Sequence, residues 1–156
     1  MAEQGEGQEP LVDGVISASA AFEQGQSIAA ARDMARDFLI ALQRDHGLPV
    51  SERAMGMVEL VVSELVTNAR KYAAGPCLVQ LEVCEGAVQI TVWDSEPRLP
   101  TVQAPDPYRI GQHGLEIVMA VCRSFEIRRE PVGKSIRATL VLADDPGGDV
   151  AGRQLM

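Results

Sequence analysis

From Ser27 onward the apolar positions recur at helical period: Ile28, Ala31, Met34, Ala35, Phe38, Leu39 and Leu42 share one side of an amphipathic helix that reaches about Arg44. Ser27 offers an N-cap oxygen, and His46-Gly47-Leu48-Pro49 ends the helix with Gly and Pro just past the last periodic residue. A second run, capped at Ser51 and lasting to about Ala74, repeats the period with Val58, Val61, Val62, Leu65 and Ala69. Gly75-Pro76 stops it.

The pattern then shortens to strands. Residues 78–84 and 88–93 are β-prone runs joined at Glu85-Gly86, a hairpin signal, and residues 15–22 read as an edge strand ahead of the helices. Pro97, Pro100, Pro105 and Pro107 make the next stretch a loop, of a length that often serves as a functional lid. Helical period returns over residues 114–122. Two last strands, residues 124–129 and 135–142, flank Pro131-Val132-Gly133-Lys134. The order β, α, α, β, β, loop, α, β, β predicts an α+β fold: a two-layer sandwich with about three helices on one face of a mostly antiparallel mixed sheet.

Composition sets the limits of that picture. With 156 residues, 46% of them hydrophobic, the chain suits one domain with a real core, assigned to residues 14–143. Residues 1–13, rich in Glu, Gln and Gly, and residues 144–156, rich in Gly and Asp, read as disordered tails. A net charge of −8 argues against binding a nucleic-acid backbone, which needs a basic stripe. No apolar run is long enough to span a bilayer and no signal peptide is evident, so a cytoplasmic protein is expected. Cys77, Cys84 and Cys122 are odd in number and lack metal-site spacing, and read as buried structural thiols.

The second helix carries the chemistry. Glu64 and Asn68 lie four apart and so stack on one helix face, beside the apolar stripe. A carboxylate there can take a proton from an attacking hydroxyl, and an amide oxygen is a hard ligand suited to Mg²⁺. Taken alone, the pair is equally an ordinary polar helix face. Asp94 ends a strand, as a turn residue or as an acceptor aimed at a ligand. Gly111 and Gly114 precede a helix whose free N–H groups suit phosphate. His113 could donate to the same phosphate or be solvated, while Lys134 and Ser135 could approach it or merely form a hairpin turn.

The order of these features, Glu64-x-x-x-Asn68, Val92-Trp93-Asp94, Gly111-x-x-Gly114-Leu115 and Gly133-Lys134-Ser135, resembles the histidine-kinase-like ATPase superfamily of gyrase, Hsp90, histidine kinases and MutL. Within it, Ser-Glu-Leu-Val-Thr-Asn-Ala at 63–69 and Trp-Asp-x-x-Pro-x-Leu-Pro at 93–100 resemble small stand-alone proteins related to the anti-sigma-factor serine kinases of bacteria. The resemblance implies the Bergerat-type ATP-binding fold, with ATP and Mg²⁺ as cofactors. It implies Asn68 as metal ligand, Glu64 as general base and Asp94 as acceptor for the adenine amino group. Tyr72, Pro97, Gly111, His113, Gly114, Leu115, Lys134 and Ser135 would surround the nucleotide. The partners implied are a sigma factor and an anti-anti-sigma antagonist phosphorylated on Ser or Thr; related proteins commonly dimerise, which leaves a homodimer open.

Two segments depart from the family pattern. Asp94-Ser95-Glu96-Pro97 replaces the usual Asp-x-Gly-x-Gly, and Gln112-His113-Gly114-Leu115 carries its first glycine displaced to Gly111. A non-catalytic module of the same fold, binding ATP or a partner alone, is therefore the alternative to a kinase.

Overall fold

The computed structural model describes residues 16–96 and 114–143. In chain order these form β1 (Ile16–Phe22), α1 (Ile28–His46), α2 (Glu52–Tyr72), β2 (Cys77–Cys84), β3 (Ala87–Asp94), α3 (Gly114–Val121), β4 (Ser124–Arg129) and β5 (Lys134–Val141). The expected tails and residues 97–113 of the Pro-rich segment lie outside the described residues.

Local chemistry sets the helix ends. Ser27 Oγ accepts from Ala30 N at 3.2 Å and Ser51 Oγ from Ala54 N at 3.0 Å, each satisfying a first-turn donor. At the far end of α1, Gly47 adopts φ 66° and its N–H donates to the Gln43 carbonyl while Leu48 N donates to Leu42 O. The β2–β3 turn places Glu85 and Gly86 both at positive φ, the geometry whose twist matches a tight hairpin.

The sheet order is β1-β2-β3-β5-β4, and every neighbouring pair is antiparallel. Among the described residues the sheet is therefore antiparallel throughout, in line with the mostly antiparallel sheet expected. The crossover β3–α3–β4 does make β3 and β4 parallel, but β5 folds back between them and takes both as antiparallel neighbours. The sheet edges are β1, as expected, and β4.

All three helices lie on one face. Side chains alternate across a strand, and the inward set is apolar: Val79, Leu81 and Val83 on β2, Val88, Ile90 and Val92 on β3, Ile136, Ala138 and Leu140 on β5. Against them pack Ala31, Ala35, Leu39 and Leu42 of α1, and Val58, Val61, Val62, Leu65, Val66 and Ala69 of α2. Helix α2 is central, touching α1, α3, β2, β3 and β5, so residues on its remaining face are held rigidly. Among the charged residues of α1, Arg36 reaches Glu59 of α2 at 3.4 Å and Arg44 pairs with Asp45.

The cysteines do not share one environment. Cys77 is buried, Cys122 is partly covered and Cys84 is exposed. Alternation explains the difference on β2, since positions 77 and 84 point to opposite faces. Burial pushes the Cys122 thiol up to about 11. Among the described residues no helix is long and apolar enough to cross a membrane.

Candidate functional site

Two clusters stand where the C-terminal half of α2 overlies one end of the sheet. The first belongs to α2 and α3. Val61, Leu65 and Ala69 drive one side of α2 into the core, which leaves Glu64 and Asn68 part-exposed along its flank. Gly114, the first residue of α3, lies against Glu64: a Cβ built there would sit 2.5 Å from Glu64 Oε1. Glycine at 114 is therefore the residue that lets the Glu64 carboxylate reach the start of α3. Leu115 follows it into the core, 7% exposed, and anchors that helix start.

Asn68 Oδ1 is buried and accepts no hydrogen bond from any described residue. A buried amide oxygen without a donor costs roughly 1–3 kcal/mol, so this oxygen is open to a further partner, a ligand among them. Among the described residues no three His, Cys, Asp or Glu side chains gather into a metal cage. A single hard amide oxygen suits a magnesium ion that keeps several waters and takes its other ligands from phosphates. The residues present therefore fit Mg²⁺ bound together with a nucleotide.

The second cluster is built on β3 and β5. Their register sets Asp94 directly opposite Lys134, and both fall on the inward parity of Val92 and Ile136, under the helices. The side chains are 2% and 1% exposed, with Lys134 Nζ 3.0 Å from Asp94 Oδ1. Asp94 Oδ1 also accepts from Glu96 N at 2.9 Å, and the Glu96 carbonyl lies 3.5 Å from Lys134 Nζ. Gly133, at φ 78°, presses on the Asp94 carbonyl so closely that a Cβ would overlap it. Burial raises the pKa of the neighbouring Cys77 thiol; Arg70 opposes that rise and Asp94 adds to it.

Lys134 and Ser135 both have partners within the sheet. Lys134 is committed to Asp94. Ser135 falls on the sheet face away from the helices, opposite Trp93, where its hydroxyl donates to Glu130 Oε2 at 2.7 Å. There it closes the β4–β5 turn, together with Glu130 N donating to Gly133 O. Tyr72 is 48% exposed at the end of α2, with the Lys71 ammonium 5.5 Å above its ring. Pro97, Gly111 and His113 lie outside the described residues.

Sequence reasoning missed Gly133, Glu96 and Glu130 as parts of this end of the sheet. Gly133 left a trace as a glycine in a turn and Glu96 as a departure from the family pattern, whereas Glu130 left none. Arg70, near the end of α2, donates through Nη2 to the Glu23 carbonyl at 3.0 Å, and its Nε is buried with no partner among the described residues.

No curated protein matches the chain. Among solved structures, the Acinetobacter baumannii histidine kinase AdeS is similar at 16% identity and a TM-score of 0.45, over 81% of this chain and 68% of that one. The sequence profile of the histidine kinase-like ATPase domain matches residues 25–140, which takes in α1, α2, α3 and β2 to β4 entirely and nearly all of β5. The chain belongs to the histidine kinase-like ATPase domain family.

Proposed function

We propose that the chain binds Mg-ATP between α2, α3 and the Asp94 end of the sheet, and acts as a serine/threonine protein kinase of the anti-sigma-factor type. The observation that carries the nucleotide reading is the buried Asn68 Oδ1, which accepts no hydrogen bond from any described residue, one helical turn from Glu64. Mg²⁺, when bound, neutralises charge on the phosphates. Asn68 would offer its amide oxygen as ligand, and Glu64, set against the start of α3, would accept the proton of an incoming Ser or Thr hydroxyl. As that hydroxyl oxygen bonds to the γ-phosphorus, the bond to the β–γ bridging oxygen breaks and ADP leaves. The protein substrate rests on the family resemblance of residues 63–69 and 93–100: an anti-anti-sigma antagonist, with a sigma factor as the sequestered partner.

Calorimetric titration with ATP, with and without Mg²⁺, tests the site. Saturable Mg²⁺-dependent binding is expected, weakened about 100-fold in Asn68→Ala, a loss of roughly 2.7 kcal/mol. No binding at millimolar ATP would remove the nucleotide reading. Transfer of labelled phosphate to candidate antagonists should fail in Glu64→Gln while ATP still binds; a wild type that labels none of them points to the second reading.

That second reading is a partner-binding module without catalysis. It is favoured by Glu96 standing where the family pattern has its first glycine. Partner capture unchanged by ATP, Mg²⁺ or Asn68→Ala would establish it.

A variant at the α3 start separates site from fold. Gly114→Ala meets only the far end of a flexible side chain, so folding stability should change by less than about 1 kcal/mol. Displacing Glu64 should nevertheless lower phosphoryl transfer at least tenfold. Equal transfer rates for wild type and variant would show that the Glu64–Gly114 contact is incidental.

A further inference from the structure

A lysine buried to 1% is expensive unless something requires it, and a buried Lys–Asp pair can often be replaced by apolar residues at no loss of stability. Here two consecutive residues, Gly133 in the β4–β5 turn and Lys134 at the start of β5, grip the same residue of β3. Gly133 presses on the backbone of Asp94, and Lys134 binds its side chain. The Glu96 N–H takes the same carboxylate oxygen, so Oδ1 holds two donors at 2.9 and 3.0 Å and the plane of the carboxylate is set from two directions.

We propose that Lys134 is a positioning residue for base recognition: by occupying Asp94 Oδ1 it holds the carboxylate in one orientation, with Oδ2 turned to meet the purine edge. This inference rests on the Mg-ATP reading given above. A carboxylate so held accepts from the 6-amino group of adenine and repels the 6-oxo group of inosine or guanine, since both would present oxygen lone pairs. Without the pin, Asp94 can rotate, and its free oxygen no longer meets the purine edge in one orientation. Lys134 thus sets which purine is bound without touching it.

The test is the ratio of ATP to inosine triphosphate affinity, measured by calorimetry with Mg²⁺ on the full chain. Wild type should prefer ATP about 100-fold, and Lys134→Met should reduce that preference at least tenfold, chiefly through weaker ATP binding. Lys134→Arg, which keeps the charge and two or more donors, should restore most of it. A lysine that merely supports the fold would, when replaced, weaken both nucleotides alike; an unchanged ratio in Lys134→Met therefore overturns the positioning role. Should that variant fail to fold, Lys134→Gln, which brings no charge and keeps a donor within the chain, carries the same readout. A wild type that binds both nucleotides equally overturns base reading by Asp94 alone, and one that binds neither overturns the ATP reading and this inference together.

Discussion

Gly133→Ala should unfold at a much lower urea concentration than Gly86→Ala, although both glycines have φ 78°. An alanine in the left-handed region costs about 1–2 kcal/mol at either position. At Gly86 a Cβ meets nothing within 4 Å, so that backbone cost is the whole effect. At Gly133 it collides with the Asp94 carbonyl oxygen and comes within 2.8 Å of Asp94 C and Ser95 Cα, which are backbone atoms that cannot swing aside. The end of β3 or the β4–β5 turn must move, and the total is expected to reach about 4 kcal/mol, a large share of the roughly 5–15 kcal/mol typical of a domain. Equal urea midpoints for the two variants would show that the turn yields freely. In that case the turn could not be what holds Asp94 in place.

Asp94→Ala should be comparably damaging, for an electrostatic reason. The substitution leaves the Lys134 ammonium 1% exposed with its carboxylate gone, and breaking a buried pair on one side costs about 3–5 kcal/mol. It also strips the Glu96 N–H of its acceptor. Removing both charges, in Asp94→Ala with Lys134→Met, should recover at least half of the loss, because most of the damage comes from leaving a buried charge unpaired. Urea denaturation of the two single variants and the double variant measures this. Strictly additive losses would mean that the pair is not coupled and that each residue is held by other contacts.

These two variants concern residues that sequence reading handled very differently from Glu64 and Asn68. The latter pair was visible at once, because a helix of period 3.6 places positions four apart on one face whatever the rest of the chain does. The caps at Ser27 and Ser51, the stop at Gly47 and the Glu85-Gly86 turn were equally visible, since each is decided by atoms within a few residues. The departures near Asp94 were legible too, as missing glycines. Their structural meaning was not.

What the chain alone determined is therefore its elements, the face each buries, the family and the acid–amide pair on α2, all of which follow from local periodicity, short-range hydrogen bonding and the order of short motifs. The tertiary structure decided the rest. That β5 inserts between β3 and β4, making the sheet wholly antiparallel, depends on contacts between distant segments. So does the register that sets Lys134 opposite Asp94, and Ser135 on the outer face beside Trp93. A Gly-Lys turn reads the same whether its lysine faces water or a buried carboxylate forty residues earlier in the chain, because register is fixed by how the apolar faces of strands far apart in sequence match against the helices.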